Sequence, residues 1–196
     1  MLRVDHLAVL GLEPVSFEVG DGACLAVQGP SGSGKSLLLR AIADLDPNGG
    51  EVELDGLRRS DLPAPQWRER VCYLATDSGW WGETVADHVR DWQAIAGELE
   101  ALGLPESCRD WPVSQLSTGE RQRLALLRAL AIAPRVLLLD EPTSALDTAA
   151  TAAVEKLIAA RRADGLIVIW VTHDGEQAQR VASRRLLVEN GAVKPQ

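Results

Sequence analysis

One short segment constrains the fold more than any other part of the chain. It reads G-x-x-x-x-G-K-S from Gly29 to Ser36, the spacing of loops that hold nucleotide phosphates. Its glycines permit positive φ values, so that successive N–H groups can turn toward an anion. The apolar run 23–27 before it predicts a buried strand, and 37–42 after it predicts a helix whose positive end faces the phosphates. A glycine-rich turn without a ligand fits this strand–loop–helix setting poorly, so we predict a nucleoside triphosphate site.

The chemistry of this loop assigns roles to its residues. Lys35 brings a positive charge to the β- and γ-phosphates, and the Ser36 hydroxyl is a ligand for Mg²⁺. We predict that ATP contacts the whole segment, namely Gly29, Pro30, Ser31, Gly32, Ser33, Gly34, Lys35, Ser36 and Leu37.

The bulk composition excludes several other classes of protein. The formal net charge of −8, without a long basic run, argues against nucleic acid as a partner. Three scattered cysteines share no metal-ligand spacing and suit a reducing cytoplasm. The longest apolar runs, such as 166–171, are too short to span a bilayer, and residues 1–5 do not resemble a signal peptide. We therefore expect a cytoplasmic protein that does not insert into the membrane itself.

Apolar strands alternate with helical segments along the chain, which predicts an α/β fold. We expect one domain over residues 1–196, with a mainly helical insertion at about 76–133. The predicted strands cover 2–9, 15–19, 23–28, 51–54, 71–75, 136–139, 166–172 and 186–189, and the predicted helices cover 36–44, 118–133, 148–163 and 175–182. Within the insertion, Thr84 is a candidate cap for a helix whose apolar face is Val85, Val89, Trp92 and Ile95. The tryptophans of the insertion are packing residues or, if exposed together, a docking surface for another protein.

A second motif consists of an apolar strand that ends in two acids, Asp140 and Glu141. We expect this strand beside the one that leads into the phosphate loop, with Asp140 at the carboxyl edge of the sheet, where it holds Mg²⁺. Glu141 is then placed to deprotonate the attacking water. Solvated loop charges are the alternative, which the phosphate loop disfavours.

A third motif runs from Leu116 to Arg123. Ser117 and Glu120 have the spacing of a capping box at a helix start. That interpretation does not explain Gly119, because glycine weakens the first turn of a helix. A serine hydroxyl and bare backbone at a helix start also suit an anion.

These segments together resemble the ATP-binding subunits of ABC transporters, nearly from end to end. Residues 29–36 match their Walker A motif and 136–141 their Walker B motif with its catalytic glutamate. Residues 116–120 resemble the LSGGQ signature, 144–147 the D-loop with Asp147, and 171–174 the histidine switch with His173. The resemblance implies a RecA-like P-loop NTPase core with N-terminal antiparallel strands and a small helical signature subdomain.

The resemblance also implies a mechanism. Two copies face each other head to tail, and each ATP lies between the Walker motifs of one copy and the signature of the other, here Ser117, Thr118, Gly119 and Glu120. Glu141 acts as general base, and His173 contacts the γ-phosphate and helps to place the water. ATP closes the pair, hydrolysis opens it, and the motion drives a transmembrane permease on the inner face of the membrane.

The sequence departs from the family pattern at three places. Thr76 stands where a glutamine usually senses Mg²⁺, so we expect slower or more weakly coupled hydrolysis. Thr118 replaces a glycine close to the γ-phosphate. No aromatic residue is available to stack on adenine, since Leu10 and His6 lie nearest, and base recognition is expected to be loose.

The residues leave several finer interpretations open. Segments 79–85 and 168–174 resemble the ATPase of Fet-type iron exporters, which suggests metal export, with 76–95 docking a coupling helix of the permease. A soluble ABC-type ATPase of an assembly pathway, such as iron–sulfur cluster biogenesis, shares every motif. A nucleotide-binding scaffold without turnover is a further alternative, which Thr76 and Thr118 favour and which Glu141 and His173 argue against. A DNA-repair ATPase does not fit, because 36–136 has no room for a long coiled coil.

Overall fold

The centre of the molecule is built from strands that are apolar along their whole length. The structure, a computed structural model, describes all residues 1–196. Its strands are β1 (Leu2–Val9), β2 (Leu12–Val19), β3 (Cys24–Gln28), β4 (Gly49–Leu54), β5 (Leu57–Arg58), β6 (Val71–Leu74), β7 (Val136–Asp140), β8 (Ile167–Val171), β9 (Arg184–Glu189) and β10 (Ala192–Pro195). Its helices are α1 (Lys35–Ile42), α2 (Ala64–Arg70), α3 (Gln93–Leu99), α4 (Thr118–Leu130), α5 (Thr148–Ala163) and α6 (Gly175–Val181). The predicted α/β fold class is confirmed.

Six strands form the central sheet in the order β10-β9-β3-β8-β7-β6. The five from β9 to β6 are parallel, and β10 closes one edge antiparallel to β9. Every residue of β7 and of β8 is buried, as expected for a parallel sheet covered on both faces. The expectation that β7 lies beside β3 was wrong, because β8 pairs with both and separates them. All three strands still end at the same edge, since they run in the same direction.

A smaller antiparallel sheet, in the order β2-β1-β4-β5, lies over one face of the core. Buried and exposed residues alternate along β1 and β2, which is typical of a sheet with one solvated face. β2 begins at Leu12 rather than at the predicted residue 15 and runs through Pro14. Pro14 lies on an edge strand at the register shift between the pairs Leu7–Val15 and Val9–Leu12, and proline is tolerated in such irregular edge positions.

The central sheet separates two hydrophobic cores of similar size, with 27 and 26 buried residues. Alternate residues of β3 enter opposite cores: Cys24 and Ala26 face one, whereas Leu25 and Val27 face the other. The first core also contains α4 and α5, and the second contains α1 and the antiparallel sheet. Both faces of the sheet are therefore closed to water, and only its edges remain for polar chemistry.

The region 76–133 is less regular than predicted. The single helix expected from Thr84 to Ile95 was wrong: a 3₁₀ turn covers Val85–His88, and the chain is extended at Val89 before α3 begins. Local polar groups explain the break, because His88 Nδ1 lies 2.9 Å from the carbonyl oxygen of Thr84. The Asp91 carboxylate then accepts from the first N–H groups of α3. α4 begins where predicted and ends at Leu130, three residues early.

The tryptophans of this region divide between the two expected roles. Trp80, Trp92 and Trp111 pack half-buried against the first core. Trp81 is 75% exposed, although its ring lies edge-on to the His88 imidazole at 4.6 Å. Packing thus accounts for three of the four, and Trp81 presents an apolar surface to solvent.

The first turn of α4 is closed by the predicted capping box. The N–H of Ser117 donates to Glu120 Oε2 at 2.8 Å, and the N–H of Glu120 donates to Ser117 Oγ at 3.3 Å. The Glu120 carboxylate also accepts from the Ser117 hydroxyl at 2.7 Å, and the hydrogen bonds from the Ser117 side chain and backbone lower the pKa of Glu120 below its ordinary value. Both groups satisfy N–H donors that a helix start otherwise leaves without partners.

No helix of the structure combines the length and the apolar character needed to cross a membrane.

Shortening a buried side chain of β7 tests the importance of this strand. Leu138 is fully buried in the second core, so Leu138→Ala should lower the free energy of unfolding by about 2–5 kcal/mol, through lost burial and a residual cavity. Urea denaturation measures this change. Leu57→Ala, at an exposed site, is the control and should stay within about 0.5 kcal/mol of wild type. Equal effects of the two variants would contradict the assignment of the core.

The Glu120 cap predicts a pH dependence of stability. Because the folded state lowers the pKa of Glu120, the stabilisation is complete above the ordinary glutamate value of 4.5 and is lost as pH falls through the folded value. Glu120→Gln should cost about 0.3–1 kcal/mol at pH 7, and the difference from wild type should vanish in acid. Glu83→Gln, whose carboxylate is exposed, should show no such dependence. If the difference in free energy of unfolding between wild type and Glu120→Gln stays constant down to pH 3, the charged cap is not its source.

Candidate nucleotide-binding site

The loop between β3 and α1 presents a set of unpaired backbone donors. The N–H groups of Gly32, Gly34, Lys35 and Ser36 donate to no acceptor in the protein, and no side chain caps α1. The first turn of α1 also contains no acidic residue. Several N–H groups and the positive end of a helix therefore meet at one point, which favours a bound anion.

Two side chains of the loop fit an anionic ligand as well. Lys35 is buried, and its Nζ donates to the carbonyl oxygens of Gly29 and Pro30 at 2.9 and 2.8 Å. Both acceptors are neutral, so the charge of Lys35 is not neutralised by a protein carboxylate. Ser33 Oγ is buried without a hydrogen-bond partner. A phosphate chain bound in this loop would give Lys35 an anionic partner and Ser33 an acceptor.

At two positions of the loop, glycine is favoured both by a positive φ and by neighbouring atoms that lie close to where a Cβ would be. Gly29 has φ +148, and a Cβ there would lie 2.1 Å from the carbonyl oxygen of Val188. Gly34 has φ +103, and its Cβ would lie 2.8 Å from Leu12 Cδ2. The loop is therefore held between β9 and the start of β2. Leu10, two residues before Leu12, is 91% exposed.

Asp140 ends β7 at the carboxyl edge of the sheet, where the sequence predicted it. It is 4% exposed, and Tyr73 Oη donates to its Oδ2 at 2.8 Å. Burial and this hydrogen bond raise the pKa of the Tyr73 phenol well above its ordinary value. Thr76 Oγ1 donates to the backbone oxygen of Asp140 at 2.9 Å. An oxygen-only set of Ser36, Asp140 and Thr76 has the donor chemistry that Mg²⁺ prefers.

Glu141 and His173 come together across the ends of β7 and β8. His173 Nδ1 lies 3.0 Å from Glu141 Oε2, and the Glu141 N–H donates to the carbonyl oxygen of Val171 at 3.1 Å. The Glu141 side chain is 19% exposed and that of His173 is 74% exposed. Glu141 has φ +52, an uncommon left-handed conformation for glutamate. An acid and an imidazole therefore lie in contact at the carboxyl edge of the sheet.

The signature segment is tied to the loop that follows Glu141. Gln122 Nε2 donates to the carbonyl oxygen of Glu141 at 2.9 Å, and its Oε1 accepts from the N–H of Ala145 at 3.1 Å. A Cβ on Gly119 would lie 3.3 Å from the carbonyl oxygen of Ala145. Gly119 therefore has a packing reason that the capping box alone did not provide.

Several predicted site residues form helix caps in the structure, and two residues that contact the site were not identified from the sequence. Asp147 caps α5, with its Oδ1 2.8 Å from the N–H of Ala150. Ser117, Thr118 and Glu120 lie at the start of α4, where Ser117 Oγ donates to Glu120 Oε2 at 2.7 Å. The role of Tyr73 was missed, although its place near the carboxyl end of the predicted strand 71–75 was a usable signal. Gln122 was missed because its partner lies in a distant part of the chain.

The comparisons with known proteins agree on one family. Residues 12–144 match the family model described as "ABC transporter". The chain is similar to the aliphatic sulfonates import ATP-binding protein SsuB of Pseudomonas entomophila (strain L48), at 41% identity over 93% of this chain and 68% of the relative. It is also similar to the phosphate import ATP-binding protein PstB 2 of Natronomonas pharaonis, at 36% identity over 93% of this chain and 72% of the relative.

A solved structure extends the comparison to the fold. The ATP-binding cassette MJ0796, solved as a dimer in a post-hydrolysis state with ADP and Pi, superposes with a TM-score of 0.82 at 26% identity. The match covers 100% of this chain and 98% of that one. The two relatives named above are import proteins, so the closer resemblance to Fet-type iron exporters has no support from them. The chain belongs to the ABC transporter family as one of its ATP-binding domains, which hydrolyse ATP.

Proposed function

We propose that this chain binds MgATP between two copies of itself and, by hydrolysing it, powers a separate membrane permease. One observation carries the proposal: Glu141 and His173 meet at 3.0 Å, at the sheet edge that also holds Asp140 and the open N–H cradle around Lys35. A base, an imidazole and an anion site at one edge are the parts that water attack on a phosphate needs.

Within one copy, each side chain has a separate task. The N–H groups of the loop and Lys35 bind the phosphates, which requires Lys35 to leave the carbonyl oxygens of Gly29 and Pro30. Ser36, Asp140 and Thr76 hold Mg²⁺, which neutralises phosphate charge when bound. The Glu141 carboxylate accepts a proton from the attacking water. His173 orients Glu141 in the absence of nucleotide and donates to the γ-phosphate in its presence.

The second copy completes the site with its signature segment. Ser117, Thr118 and Gly119 lie at the uncovered start of α4, and the backbone there favours an anion. The Ser117 hydroxyl now donates to Glu120, so it has to rotate to reach a phosphate. The dimeric state of MJ0796 supports this arrangement. Asp147, at the start of α5, lies in the same interface between the two copies.

The partner that fits this function is a transmembrane permease, which places the chain on the inner face of the membrane. We propose the segment 76–95, with the exposed Trp81, as the docking surface. The sulfonate and phosphate import relatives support uptake of an anion. Metal export, suggested by 79–85 and 168–174, has no such support. Co-purification with a multispanning protein distinguishes this proposal from a soluble assembly ATPase.

Replacing the proposed base tests the proposal. Glu141→Gln keeps the shape of the side chain but removes the basic oxygen, so ATP turnover should fall by at least about 10²-fold while ATP binding is retained. Phosphate release and nucleotide binding measure the two effects separately. Glu106→Gln, at an exposed site outside the cleft, is the matched control and should keep wild-type turnover. Full turnover by Glu141→Gln would overturn the proposed role of this residue.

The threonine at position 76 predicts a gain of function. The Thr76 hydroxyl donates to the backbone oxygen of Asp140, and its side chain is shorter than that of a glutamine, which is long enough to contact both Mg²⁺ and the attacking water. Thr76→Gln should raise turnover by about tenfold, which corresponds to about 1.4 kcal/mol, or one hydrogen bond in the transition state. The side chain of Thr76→Val is no longer than that of threonine, so ATP turnover of this control should not rise. Unchanged turnover in Thr76→Gln would contradict the hypothesis of slow hydrolysis.

A further inference from the structure

The carboxylate of Asp140 has one protein partner, and that partner is Tyr73. Tyr73 Oη donates to Oδ2 at 2.8 Å, whereas Oδ1 accepts no hydrogen bond from the protein. Asp140 is 4% exposed, so water cannot fully replace a lost donor. A hydrogen bond to a buried charged group is stronger than one between neutral groups. The single bond from Tyr73 therefore decides which way the carboxylate turns.

The register of the sheet explains why a tyrosine is suited to this position. β6 is the edge strand next to β7, and Tyr73 pairs with Leu138. Leu138 and Asp140 are two residues apart and so project from the same face of the sheet. The phenol spans the distance of about 7 Å that two residues of a strand cover. A phenylalanine has the same ring without the donor, and a smaller polar residue does not reach Asp140.

The phenol has the properties of a dedicated donor. A tyrosine hydroxyl is protonated at physiological pH, so Tyr73 can donate to the Asp140 carboxylate as the geometry shows. The Arg40 guanidinium pairs with Asp46 at 2.6 Å and donates no hydrogen bond to Asp140. Thr76 holds the backbone oxygen of the same residue. Tyr73 on β6 thus bonds to the side chain of Asp140, and Thr76, two residues after β6, bonds to its backbone.

We infer that Tyr73 is a positioning residue for Asp140: its hydroxyl occupies Oδ2 and thereby directs Oδ1 toward the Mg²⁺ of the bound nucleotide. The inference rests on the proposed function, in which Asp140 holds Mg²⁺. It adds to that proposal a residue that touches neither nucleotide nor metal. Tyr73 should therefore change the benefit that Mg²⁺ gives to nucleotide binding, and leave binding of the metal-free nucleotide unchanged.

Calorimetry with ADP, in Mg²⁺ or in EDTA, tests this without hydrolysis. Tyr73→Phe should reduce the Mg²⁺-dependent gain in ADP affinity by about tenfold, the equivalent of one charged hydrogen bond. Its affinity for ADP in EDTA should equal that of wild type, which also shows that the variant is folded. Cys72→Ala is the matched control, since Cys72 is the neighbouring residue on the other face of β6. Cys72→Ala should keep the full Mg²⁺-dependent gain in ADP affinity.

The outcomes separate this inference from the proposed function. Asp140→Asn should abolish the Mg²⁺-dependent gain; if it keeps the gain, the proposed role of Asp140 fails, and the inference fails with it. If Asp140→Asn loses the gain and Tyr73→Phe keeps it, only the inference is overturned. A loss of affinity in EDTA equal to the loss in Mg²⁺ would also overturn it, because the effect would then be general damage to the site.

A spectroscopic measurement gives a second, independent readout. Tyr73 is the only tyrosine of the chain, so 3-fluorotyrosine labels this position alone. The ¹⁹F resonance of the labelled protein should shift when Mg²⁺ is added to the ADP complex, and the same addition to labelled Asp140→Asn should leave it unmoved. A resonance that does not respond to Mg²⁺ in the wild-type complex would overturn the inference.

Discussion

Burial of the parallel strands on both faces is the constraint on which the rest of this structure depends. β7 and β8 contain no exposed residue, so charged groups can lie only at or beyond their ends. Because the strands are parallel, those ends form one edge. Asp140, Glu141 and His173 follow the last apolar residues of their strands, and the phosphate loop follows β3. The hydrophobic pattern thus collects the polar groups of the site without any direct attraction between them.

The site departs from ordinary local structure where its chemistry requires it. Glu141 has a left-handed backbone, which costs about 1–3 kcal/mol for a residue with a side chain. Gln122 bonds to its carbonyl oxygen, and the Glu141 N–H is paired with Val171. These contacts hold the strained residue in place. They also connect the start of α4, which is proposed to serve the other copy's nucleotide, with the proposed base of the same chain.

The sequence predicted the parts of the site that depend on local spacing. The phosphate loop, the acids after β7 and the capping box are each defined by neighbours within eight residues, so their backbone geometry follows from residue type. Strand order is not local: β8, which comes late in the chain, lies between β3 and β7. Tyr73 and Gln122 act on residues 67 and 19 positions away, and such pairings require the sheet register. The break at Val89 arose from competing side-chain bonds by His88 and Asp91, which helical periodicity does not reveal.

The central claim is that ATP is held between two copies of this chain. A crystal structure with Mg²⁺ and a non-hydrolysable ATP analogue tests it most directly. We predict a head-to-tail dimer with two nucleotides, each with its γ-phosphate in contact with Lys35 of one copy and Ser117 of the other. A nucleotide bound in the phosphate loop of a copy whose γ-phosphate faces only solvent, with no second chain at Ser117, would contradict it.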